Sequence, residues 1–184
     1  MKSFQCLVGV RHPLAKVAAA VRDRMSEVAP ALEHVEQITT LSRIERADGA
    51  VDLINEWRVN PTLPHALYDV VKPENLGWLD HAAWRGDLAA CEWRIEPHFM
   101  GAAIDCRGQT LFETAMGGRG TRVTFEGRLD IDPNALLSIP MVWRGPASVA
   151  VEMLISTLIP KNFRRTTELL GQLLDAEVQL TRAP

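Results

Sequence analysis

The chain has 184 residues, 47% of them hydrophobic, which is large and apolar enough for one domain to bury its own core without metal or disulfide support. Twenty basic against twenty-three acidic residues leave a formal net charge of −3 with no long basic run, which argues against a nucleic-acid binder relying on broad charge. No apolar stretch approaches the roughly 18 residues of a membrane span, and Arg11-His12-Pro13 cuts the first apolar run before it could serve as a signal-peptide core.

In chain order, Phe4, Cys6, Val8 and Val10 alternate and predict a first strand. His12-Pro13 ends it, with Pro13 where the first turn of a helix needs no backbone N–H. Leu14, Val17, Val21 and Met25 then keep helical spacing to about Glu27, and Ala29-Pro30 stops the helix. Strands are expected over 35–44 and 51–59, with Asp48-Gly49 between them as a hairpin turn, since both residues tolerate positive φ. In the second of these, Val51, Leu53, Asn55, Trp57 and Val59 share a face that reads as buried.

Residues 60–75 carry Pro61, Pro64 and Pro73 and read as a long loop with a helical turn near His65. Four more strands follow, over 78–84, 88–95, 103–115 and 121–131, turning at Gly86-Asp87 and at Gly117-Gly118-Arg119-Gly120. The strand over 78–84 has two readings, with Trp78, Asp80 and Trp84 on one side and Leu79, His81 and Arg85 on the other. From about Pro146 to Leu180 the apolar period changes to three or four, predicting one long amphipathic helix, with a kink expected at Pro160.

An antiparallel sheet made of hairpins must cover its apolar face, and that helix is the available cover. One strand, one or two helices, six strands and a long last helix resembles the helix-grip order of the START-like (SRPBCC) superfamily, over almost the whole chain. The fold expected is α+β, a single domain over 1–184, in which a curved antiparallel sheet of about seven strands wraps around a long C-terminal helix. A narrower likeness is to PRELI-like lipid-transfer proteins, resting on His12-Pro13, Glu56-Trp57, Leu63-Pro64 and Ile155-Ser156-Thr157-Leu158.

The resemblance implies a cavity between sheet and helix that holds a hydrophobic or lipid-like small molecule, for transport or sensing. The residues support an aromatic-lined version of it, because tryptophan outnumbers tyrosine five to one and most tryptophans fall on strands. Expected lining residues are Asn55, Trp57, Trp78, Trp84, Trp93, Thr110, Phe112 and Phe125 from the sheet, with Met153 and Thr157 from the helix. Thr114 is a further polar anchor by the same face assignment.

Two other functions fit the same pattern. One is a polyketide cyclase/aromatase-type enzyme, with Asp80, His81 or Arg85 turned into the cavity for acid–base work. The other is a protein-interaction module that uses the charged outer face of the sheet, whose acidic and basic residues are expected to pair across strands. No GxSxG and no HExxH occurs, so the sequence assigns no catalytic set, metal site or cofactor. Cys6, Cys91 and Cys106 show no CxxC and read as reduced, buried thiols of a cytoplasmic protein. The expected partner is a hydrophobic small molecule or lipid, with transient membrane contact through Arg164-Arg165 as an option, and no nucleic acid.

Overall fold

A computed structural model describes residues 1–60, 76–99, 101–135 and 141–182. The elements are β1 (Lys2–Val10), α1 (Leu14–Asp23), α2 (Met25–Val28), β2 (Val35–Glu45), β3 (Val51–Val59), β4 (Gly77–Trp84), β5 (Ala90–Pro97), β6 (Ile104–Ala115), β7 (Gly120–Ile131) and α3 (Met141–Arg182). All seven strands form one antiparallel sheet in the order β1-β7-β6-β5-β4-β3-β2, curved around α3. This is the helix-grip arrangement. The Leu63-Pro64 loop, its helical turn near His65 and the proline cluster fall outside the described residues.

Turn chemistry sets the hairpins. Gly49 takes φ +81° while Asp48 accepts a 3.0 Å hydrogen bond from the Ala50 N–H. In the β4–β5 turn it is Leu88, at φ +58°, that adopts the left-handed conformation, and Asp87 accepts from the Ala89 N–H at 2.9 Å. The β6–β7 turn puts Met116, Gly117 and Gly118 all at positive φ, so the glycine run serves a hairpin.

The inner face of the sheet alternates as a half-buried strand pattern requires. It buries Val8 and Val10 from β1, Leu53 and Trp57 from β3, Trp78 and Trp84 from β4, and Val123, Phe125 and Leu129 from β7. α3 lies against this face, with Val151, Ile159, Leu170 and Leu174 buried in the core, and it continues through Pro160 as a single element. A second tie closes the far end. His12, buried at the β1–α1 corner, places Nε2 2.9 Å from the Asp175 carboxylate of α3, while its backbone carbonyl accepts from the Thr121 hydroxyl at 2.7 Å.

One row across the sheet departs from close-packed alternation. Trp93, Gly108, Gly127 and Phe4 occupy consecutive positions across β5, β6, β7 and β1. The two missing side chains let the Trp93 indole lie flat across β6 and β7. A Cβ at Gly127 would collide with the rings of Trp93 and Phe4, and one at Gly108 with the Glu126 carbonyl and the Trp93 ring. Trp93 then stacks on Phe125 at 4.6 Å, and Phe125 on Phe163 of α3 at 4.2 Å.

The outer face pairs some of its charges across strands as the sequence suggests, Arg122 of β7 with Glu113 of β6, and others along a single strand. Arg58–Glu56, Arg94–Glu96 and Arg107–Asp105 are pairs along one strand. The register places Arg94, Arg107 and Arg128 directly opposite one another on β5, β6 and β7. Exposed pairs of this kind add little stability.

Gly108→Ala is expected to destabilise the fold by about 2–3 kcal/mol, as overpacking against fixed backbone does. Gly9→Ala, where an added Cβ meets nothing within 4 Å, should stay within about 0.5 kcal/mol of the parent. Urea unfolding midpoints measure both, and equal midpoints would contradict the role given to the glycine row.

Candidate functional site

Between the inner face and α3 lies a cavity of about 60 Å³. Its sheet wall is Trp57, Trp78, Asp80, Ala82, Trp84, Cys91, Trp93, Ile95, Thr110 and Phe125, and its roof is Val21 and Met25 with Ile159, Asn162, Phe163 and Thr166 of α3. The walls are flat rings: Trp57 stacks on Trp78 at 5.5 Å, and Phe125 is held between Trp93 and Phe163. The volume corresponds to about two water molecules. A larger guest must displace a side chain, and Phe163, inserted from the helix, is the ring that fills the space above Phe125.

One carboxyl stands in this aromatic setting. Asp80 follows Trp78 on the inward face of β4, so alternation alone turns it into the cavity, where it is half-buried. Its cross-strand neighbours are Asn55 on β3 and Ile95 on β5. Burial in this apolar site disfavours the carboxylate and pushes the Asp80 pKa up to about 7, and the Asn55 amide opposes that rise. The Thr40 hydroxyl donates to Asn55 Oδ1 at 2.8 Å, which fixes that side of the amide on β2. Asn55 Nδ2, fully buried, has no hydrogen-bond partner among the described residues. The amide is therefore near enough to Asp80 to bias its ionisation without forming a short bond to it.

The arrangement provides a proton donor and acceptor poised near neutrality in a water-poor, aromatic cavity. It provides no thiol nucleophile. Burial, then the negative charges of Asp80 and Glu92, raise the Cys91 pKa well above the ordinary thiol value. Burial likewise pushes Cys106 up to about 12. All three cysteines are free and buried. Among the described residues no group of three His, Cys, Asp or Glu side chains comes together as a metal would require, and no helix is long and apolar enough to cross a membrane.

Of the side chains expected at the site, Trp57, Trp78, Trp84, Trp93, Thr110 and Phe125 line the cavity, and Asn55 adjoins it behind Asp80. Phe112 is buried one layer away, packed on Trp84 at 5.5 Å. Met153 and Thr157 lie on the solvent side of α3, Met153 being 63% exposed. The face of α3 that meets the cavity is instead Ile159, Asn162, Phe163 and Thr166, because the helix is apolar over a wide arc and contact with the sheet fixes its phase. Thr114 is exposed. His81 and Arg85 point outward, where His81 lies 3.1 Å from Glu96 and Arg85 2.6 Å from Asp87. Of the three acid–base candidates on and just after β4, Asp80 alone turns inward. Asn162 and Thr166 carried a readable signal, since they are polar residues spaced four apart within an apolar stripe.

A broader groove of about 880 Å³ crosses the outer face over Gly108 and Gly127, bordered by Arg94, Arg107 and Arg128. It is open to solvent, so it cannot exclude water from a reaction, and the inner cavity is the better place for chemistry.

No protein-family model matches the sequence, and no curated protein matches it. Among solved structures, the TTHA0849 protein of Thermus thermophilus is similar at 17% identity and TM-score 0.62, over 96% of this chain and 99% of that one. The Zhui aromatase/cyclase of Streptomyces sp. R1128 is similar at 11% identity and TM-score 0.59, over 97% of this chain and 95% of that one. Norcoclaurine synthase of Thalictrum flavum is similar at 9% identity and TM-score 0.58, over 94% and 86% respectively. These structures share the helix-grip architecture with this chain, and the likeness shows the fold alone. At such identities no residue role carries across.

The raised Asp80 pKa has a direct consequence for stability. The unfolded chain ionises this carboxyl near 4, whereas the folded protein holds the proton until about 7. The group's contribution is therefore most favourable below about 4 and is lost as pH rises to 7, by up to about 4 kcal/mol at 1.4 kcal/mol per unit. Asp80→Asn, neutral throughout, should gain on the parent across that window and be the more stable protein at pH 8. Urea unfolding of both proteins at pH 4.5 and pH 8 measures the difference; a constant gap would mean that Asp80 ionises as an ordinary carboxylate.

Proposed function

We propose that the protein binds a small, largely apolar molecule between sheet and α3 and that Asp80 exchanges a proton with it, making it a cavity enzyme of the cyclase or isomerase kind. The observation that carries this reading is a carboxyl enclosed among four tryptophans and two phenylalanines, with its pKa pushed up to about 7. A simple carrier for an acyl chain needs no such group, and burying one costs stability at neutral pH. The cost is understandable where the proton is used, because an acid or base is most effective with its pKa near the working pH. Solved structures of the same fold include proteins named as an aromatase/cyclase and as norcoclaurine synthase, so this architecture accommodates enzymes.

The chemistry follows from the site. A protonated Asp80 donates to a carbonyl or leaving oxygen, and its ionised form takes a proton from carbon or oxygen. Flat ring walls hold an unsaturated frame in one plane beside it. The Asn55 amide, anchored by Thr40, faces Asp80 from the neighbouring strand and stabilises the carboxylate whenever it forms.

A substrate-independent probe tests the reading. 5-Nitrobenzisoxazole loses its ring C–H proton to a carboxylate base in an apolar site, its N–O bond breaks, and a coloured cyanophenolate is released. The protein should accelerate this reaction with a rate that rises through pH about 7 as Asp80 ionises. Asp80→Asn should lower the rate at least about a hundredfold, within the range for loss of a general base. Equal rates for the parent and Asp80→Asn would overturn the assignment.

A further inference from the structure

Besides Asn55 Nδ2, four buried polar groups around the same cavity are left without partners. The indole Nε1 of Trp57, the indole Nε1 of Trp93, the Asn162 Nδ2 and the Thr166 Oγ1 have no hydrogen-bond partner among the described residues. Each belongs to a side chain at least nine-tenths buried, and each residue lines the cavity. Two come from the sheet, on the strands either side of β4, and two from α3 opposite, one helical turn apart. Buried donors left unpaired cost about 1–3 kcal/mol apiece, so native proteins rarely tolerate a cluster of them without use.

Thr166 makes the point most sharply. A helical threonine or serine ordinarily turns its hydroxyl back to a carbonyl of the preceding turn. Its neighbour Thr167 does so, donating to the Phe163 carbonyl at 2.9 Å. Thr181 does the same to Glu177 at 2.8 Å, and Ser156 to Met153 at 3.3 Å. Thr166 forgoes that bond and lines the cavity beside Asn162.

We infer that Trp57, Trp93, Asn162 and Thr166 form a donor set that selects a ligand bearing carbonyl-type oxygen acceptors on a flat, unsaturated frame, against hydrocarbons and acyl chains. The set consists of two indole N–H groups, one amide and one hydroxyl, and only the last two can also accept. A ligand without acceptors would leave these donors unpaired, as they are without it, whereas one with acceptors would give them partners. Sites built to hydrogen-bond a ligand atom discriminate strongly against the analogue lacking it. Flatness follows from the ring walls, and rejection of acyl chains from the small volume together with the donors. This inference rests on the cavity being the binding site, as proposed above, but does not depend on catalysis by Asp80.

Matched probes test it. 1-Indanone and indane differ by one carbonyl group in place of a methylene, and dodecanoate represents an acyl chain. Binding is followed in the full-length protein through the indole N–H resonances of the five tryptophans, assigned by single Trp→Phe variants. The expected result is binding of 1-indanone at least tenfold tighter than indane or dodecanoate, with downfield shifts of the Trp57 or Trp93 indole signals that indane does not produce. Asn162→Leu and Thr166→Val should each reduce the indanone-to-indane ratio at least threefold. Phe163→Ala provides a roomier cavity in which the same ratio is measured, and the parent protein keeps the test available should that variant not fold. Equal binding of indanone and indane with unmoved indole signals, or dodecanoate binding the tightest, would overturn the donor set while leaving the cavity as a binding site. Failure of every probe to bind both the parent and Phe163→Ala would overturn the cavity reading and the donor set with it.

Discussion

The ring stack that joins the sheet to the helix governs the rest of this structure. Trp93 lies flat only because Gly108 and Gly127 give it room, and its indole supports Phe125, which in turn receives Phe163 from α3. Offset-stacked rings combine large buried area with a defined separation, so the stack sets how far α3 stands from β5–β7. That separation decides the cavity. A closer helix would press Asn162 and Thr166 into the sheet, and a more distant one would flood Asp80 and restore an ordinary carboxylate. The two glycines thus act on the chemistry of a residue they do not touch.

Stability and function pull in opposite directions at this site. The core clusters on either side of the cavity are conventional, rich in Val, Leu, Ile and Ala from strands and helices that alternate or repeat as their geometry requires. Into that setting the chain inserts a carboxyl, an amide held by Thr40, and donors without partners. None of these improves the fold. Sequences that break their own packing rules at one place, and keep them elsewhere, generally do so where a ligand or reaction needs it. The thiols make a useful contrast. Cys91 borders the same cavity, but burial and the neighbouring acids keep it protonated, so it behaves as a small apolar side chain.

The outer face tells the opposite story. Its charges pair along strands and across them, and they border a groove open to water. Solvent screens such groups. The curved sheet therefore has one side that meets water and another that holds the unusual chemistry, with alternation along each strand assigning residues between them.

Much of this was legible in the sequence. The period-two runs placed every strand to within a few residues, Asp48-Gly49 fixed a hairpin, and the change to a helical period marked α3. The aromatic residues of the sheet wall could be read from alternation in β3, β5, β6 and β7, because one side of each carries the charges. In β4 alternation has no sign: Trp78 and Trp84 flank Asp80 on one side while Leu79 and Ala83 flank His81 on the other, and only pairing with β3 and β5 shows which side faces in. The phase of α3 was undetermined for a similar reason, since its apolar arc is broad enough to admit Met153 and Thr157 as readily as Asn162 and Thr166. The sequence by itself determined the order of elements and the period of each. The tertiary structure alone decided which carboxyl faces the cavity and which polar groups lose their partners, because placement and pairing depend on what the rest of the chain places opposite them.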